Sequence, residues 1–65
     1  MKLSKQDNKV IKMFTTAVVQ AVKEGNDLEV ISKELTDRLL DYSLDNGVLM
    51  NMIIKDDLHA QGIKL

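Results

Sequence analysis

Apolar side chains recur at three- and four-residue intervals early in the chain: Val10, Ile11, Phe14, Ala17, Val18, Ala21 and Val22. Lys5, Lys9, Lys12, Thr16, Gln20 and Lys23 fall between them. At about 100° per residue the two sets centre on opposite sides of a helix. The pattern predicts an amphipathic helix over residues 5–24, with a dry face and a lysine-lined wet face. Ser4 and Asp7 form a capping pair at its start. Gly25 supplies the left-handed residue that closes it.

A second stripe, Leu28, Ile31, Leu35, Leu39 and Tyr42, predicts a helix over residues 27–43. Asn26 with Glu29 repeats the capping logic, and Asp27 and Glu29 suit the positive end of the helix dipole. Val30, Leu40 and Leu44 lie off the stripe and imply a second contact surface. Asp45-Asn46-Gly47 is a turn by composition. Beyond it, residues 48–54 hold six apolar side chains in seven and show no periodicity. A buried strand competes with a helix there. Met and Leu favour helix, and residues 55–60 continue without a breaker, so a third helix over 48–60 is expected.

The expected fold is therefore all-α: a small three-helix bundle, a helical hairpin plus a third apolar helix, completed by oligomerisation. Residues 1–65 form a single small helical domain. A 65-residue chain without cysteine cannot staple itself with disulfides, and at this size burial and chain entropy nearly cancel. Pairing with a copy resolves that shortage. A helix apolar nearly all round needs cover on several sides, which two short neighbours supply poorly. Leu49, Met50, Ile53, Ile54 and Leu58 are accordingly the expected protein interface. Met13, Met50 and Met52 read either as core filler or, for the last two, as an adaptable contact surface.

Net charge is −1, but its distribution is uneven. Residues 1–23 carry five lysines and one acid, and residues 24–45 carry seven acids against Lys33 and Arg38. Such asymmetry helps antiparallel partners find register. Lys5, Lys9 and Lys12 form a candidate nucleic-acid contact, the alternative to protein association. No aromatic side chain sits among them to stack a base. A helix-turn-helix around Ala21 and Gly25 is disfavoured, because its reading helix would carry Glu29, Glu34, Asp37 and Asp41 towards phosphates.

Candidate chemistry is thin. His59 with Asp56 supplies two ligands, too few for a tetrahedral metal site. Asp37 and Asp41 lie on the wet face of the second helix and read as a solvated surface, not as a buried pair set up for acid–base work. Glu34 and Arg38 are spaced for a weak helical ion pair. Asn51, Lys55 and His59 form a thin polar stripe expected at the exposed edge of the third helix. No cofactor, metal or enzymatic activity is expected. The N-terminus lacks the apolar core of a secretion signal and no run is long enough to span a bilayer, so a cytoplasmic protein without membrane association is the expectation.

Ile31-Ser32-Lys33-Glu34-Leu35, with Tyr42 following, resembles the second helix of the small two-helix phosphatases that dephosphorylate sporulation response regulators. That family carries Ser-Gln-Glu-Leu-Asp; here Lys33 stands at the Gln position and Thr36 at the Asp position. The resemblance implies a minor alternative, a small regulator of response-regulator phosphorylation. The principal expectation is a small non-enzymatic protein–protein interaction module, a regulator, inhibitor or adaptor, acting as a homodimer or docking an apolar helix on a partner.

Overall fold

A computed structural model describes residues 3–65 as three helices packed against one another: α1 (Lys5–Lys23), α2 (Leu28–Tyr42) and α3 (Gly47–Ala60). No strand occurs among the described residues, and residues 48–54 are helical. The start of α1 lies beside the end of α2 and the α2–α3 turn, because Asp7 bonds Tyr42 and Asn46. α1 and α2 therefore run antiparallel, and α3 rises alongside α1.

The boundaries follow from local chemistry. Ser4 and Asp7 make a reciprocal capping box: each side chain accepts the other's backbone N–H at 3.0 Å. Gly25 ends the first helical segment at φ +84°, a left-handed conformation natural to glycine. Asp27, not Asn26, caps α2, accepting the Glu29 N–H at 2.8 Å. Asn26 instead donates both its backbone N–H and its side-chain amide to the Ala21 carbonyl, an acceptor near the end of α1.

The core is one cluster: Val10 and Val18 from α1, Ile31, Leu35 and Leu39 from α2, and Met50, Ile54 and Leu58 from α3. Leu39, Met50, Ile54 and Leu58 are fully enclosed, and each such side chain contributes about 1.5–3 kcal/mol. The ends of the expected α2 stripe, Leu28 and Tyr42, stand exposed, as do Ala17 and Met13 on α1. The C-terminal residues Ile63 and Leu65 turn back onto the core, aided by an Ile63 N–H to Leu58 carbonyl bond of 2.9 Å.

Gly47 positions α3. A side-chain carbon added there would sit 2.9 Å from the Leu39 carbonyl oxygen and 3.2 Å from the Leu40 side chain. The first turn of α3 thus rests directly on the last turn of α2. Glycine to alanine in a helix ordinarily gains about 0.5–1 kcal/mol. Here the backbone contact reverses the sign, and Gly47→Ala should destabilise the fold by about 1–3 kcal/mol in urea unfolding. Equal or greater stability would show that the two turns yield.

Candidate protein-association surfaces

A polar knot holds the end of the molecule where α2 hands over to α3. Asp7 is 6% exposed. Its Oδ2 accepts the Ser4 backbone N–H at 3.0 Å and the Asn46 side-chain amide at 3.1 Å, and its Oδ1 accepts the Tyr42 hydroxyl at 3.0 Å. Three segments thus converge on one carboxylate. The Ser4 N–H does most to hold the Asp7 carboxyl below its ordinary value; burial opposes this, and Tyr42, the Ser4 hydroxyl and Asn46 add to the lowering. Burial and the neighbouring Asp7 raise the Tyr42 phenol. Asn46, committed to Asp7, makes no side-chain cap for α3; its own N–H is received by the Ser43 hydroxyl at 3.0 Å.

The expected interface divides in two. Met50, Ile54 and Leu58 face inward with no exposure and belong to the core. The turn spacing of four residues that lines them up also places Val48 and Met52 on the opposite side, 61% and 59% exposed. Leu49 and Ile53 are half-buried between these two sets. Leu44, four residues before Val48, is 82% exposed. The outward apolar face of α3 is therefore Val48 and Met52, flanked by Leu49 and Ile53, while Leu44 stands exposed in the preceding turn. Periodicity could not find it, since residues 48–54 are apolar on every side.

A groove of about 270 Å³ runs between α1 and α2. Phe14, Val18 and Ala21 line one wall, Ile31 and Leu35 the other, and Ala17, Glu34 and Arg38 its margins. Small side chains at Ala17 and Ala21 leave the space open. Lys5, Lys9 and Lys12 lie outside it, all exposed on the wet side of α1. A shallower depression of about 430 Å³ lies between α2 and the C-terminal tail; Lys33, Lys64, Glu29 and Asp37 mix both charge signs around it.

The remaining polar candidates stay dispersed. His59 is exposed, with its Nε2 3.3 Å from the Leu65 carbonyl. Asp37, Asp41 and Asp56 are exposed. Asn51 departs from its expected place at the exposed edge: it turns towards α2 and donates to the Thr36 hydroxyl at 3.3 Å, leaving its own Oδ1 buried without a partner. Of the phosphatase-like segment, Ser32 is half-buried, Lys33 and Glu34 are exposed, and Tyr42 is engaged with Asp7. Among the described residues no group of three potential metal ligands is brought together, and no helix is long and apolar enough to cross a membrane. Comparison with protein-family models, curated proteins and solved structures finds no match.

The depressed Asp7 carboxyl fixes the sign of an acid dependence. Its stabilisation is complete above the unfolded value of 3.8 and is lost as pH falls through the lower folded value. The raised Tyr42 phenol acts in the opposite sense: its contribution is full below 10.0 and is lost as pH rises through the higher folded value. Tyr42→Phe should lower the urea midpoint and remove the alkaline loss. In a cycle with Asp7→Ala, the double variant should lose less than the two single losses summed. Additive losses would mean that the hydroxyl and carboxylate do not act together.

Proposed function

We propose that this chain is a non-enzymatic protein-association module that presents the outer face of α3 to a partner protein. The observation that carries the reading is the exposure of Val48 and Met52 on a helix whose opposite side is fully enclosed. Val48 and Met52 are spaced four residues apart, as side chains that enter an apolar groove from one helix face are spaced, and Leu44 stands exposed in the preceding turn. Leu49 and Ile53 would widen the contact. Met52 is unbranched and polarizable, suited to an irregular partner surface. The knot at Asp7 and the close contact at Gly47 hold the start of α3 in place before binding, which lowers the ordering cost of association.

The alternative reading is nucleic-acid association through Lys5, Lys9 and Lys12, which are exposed on one side of α1. It draws on charge alone and predicts binding that weakens steeply with salt.

Affinity capture from the native host separates the two. Val48→Glu and Met52→Glu should each weaken retention of the partner protein more than tenfold, as expected from about 1.5–3 kcal/mol per buried side chain. Lys5→Glu, Lys9→Glu and Lys12→Glu together should leave it intact. A set of captured proteins unchanged by Met52→Glu would overturn the proposal, and salt-sensitive nucleic acid lost only from the lysine variant would favour the alternative.

A further inference from the structure

We infer that Asn46–Gly47 is a modification site whose chemistry the chain carries out on itself. When the α2–α3 corner opens, Asn46 deamidates, and the carboxylate it becomes opposes renewed closure on Asp7. The inference stands on the fold and is independent of the association reading.

The reaction needs a backbone nitrogen that can reach the side-chain amide carbon of the residue before it. The Gly47 nitrogen attacks Cγ of Asn46 and gives up its proton to water. The new N–C bond closes a succinimide ring. The Cγ–Nδ2 bond breaks, and Nδ2 leaves as ammonia, taking up the proton that Gly47 gave. Water then opens the ring at either carbonyl, leaving aspartate or isoaspartate at position 46. One water enters, one ammonia departs, and nothing is oxidised or reduced. A side chain on the following residue hinders the attack, and glycine has none. Asn8, Asn26 and Asn51 are followed by Lys9, Asp27 and Met52; Asn46 is the asparagine followed by glycine.

Two separate demands of the fold put this pair at the corner. The Leu39 carbonyl oxygen would lie 2.9 Å from any side-chain carbon at position 47. Asp7 takes a donor from position 46, the Asn46 amide at 3.1 Å. Packing and hydrogen bonding thus select the two residues whose adjacency is reactive.

The closed corner also holds the reaction off. Asn46 has φ −103° and ψ −10°. The Gly47 N–H donates to the Ser43 carbonyl at 2.9 Å, and the Asn46 carbonyl accepts the Met50 N–H at 2.9 Å. Ring closure swings the Asn46–Gly47 peptide out of this helical setting, so both bonds and the bond to Asp7 break first. Conversion then proceeds at the rate of the open chain multiplied by the fraction of time the corner is open. The product has lost a donor to Asp7 and set a like charge beside it, and two ionised carboxylates that close repel. Isoaspartate also lengthens the main chain at the corner by one carbon. Opening is therefore converted into a lasting change.

Peptide mapping of the full chain during incubation at fixed pH and temperature reads the product at position 46. In urea above the unfolding midpoint, Asn46 should convert well before Asn8, Asn26 and Asn51. Without urea it should convert about tenfold more slowly or slower still. This comparison uses the unaltered chain and needs no variant to fold. Tyr42→Phe removes one tie of the knot and leaves Asn46 in place. It should speed conversion of the folded chain about two- to tenfold, the range for one hydrogen bond, with the helical circular dichroism retained. Asn46→Asp should lower the urea midpoint more than Asn46→Ala. Adding Asp7→Asn to Asn46→Asp should recover part of that loss, because amide and carboxylate then exchange sides. Equal rates with and without urea, a rate indifferent to Tyr42→Phe, or Asn46→Asp no more costly than Asn46→Ala would overturn the inference.

Discussion

One carboxylate governs the geometry of this small bundle. Asp7 belongs to the first turn of α1, yet it binds the last residue of α2 and the residue before α3. A buried charge is tolerable only when its lone pairs are occupied, and here three donors occupy them. Two of the three come from beyond α1, so the carboxylate ties the chain's beginning to its second corner. It sets the relative height of α1 and α2. It also anchors Asn46, from which α3 and its exposed strip set out.

Much of this was legible from local pattern. The amphipathic stripe of α1, the Ser4–Asp7 capping pair, the glycine that ends the first segment and the all-helical class each depend on residues a few positions apart. The second role of Asp7 was not legible, because Tyr42 and Asn46 lie 35 and 39 positions away. Tyr42 looked like one more apolar step of the α2 stripe, and Asn46 like a turn residue. The one-residue shift of the α2 cap has the same origin in competition: Asn26 is drawn to the Ala21 carbonyl of α1, and Asp27 takes the cap.

The apolar run of α3 marks the other boundary of what pattern reveals. When nearly every position is apolar, periodicity carries no information about which side faces in. The inward side is Met50, Ile54 and Leu58, chosen by where Gly47 lets the helix start and how closely it approaches Leu39. Val48 and Met52 are then outward by default. The expected interface thus mixed the core row with the half-buried Leu49 and Ile53 and missed the exposed Val48 and Met52. Met13 and Val30 tell a similar story on α1 and α2. Both are apolar, but neither finds room in a core already filled from three sides.

The tight corner between α2 and α3 carries a consequence for how such a chain can vary. Only Ser43, Leu44, Asp45 and Asn46 separate the two helices. A residue added or removed there in helical geometry would turn α3 by about 100° about its own axis. A single insertion would carry the enclosed row out of the core and swing a different flank inward, so the linker tolerates substitution far better than a change of length. The connection acts as an angular stop: its length, more than its chemistry, decides which side of the last helix the molecule shows to the outside.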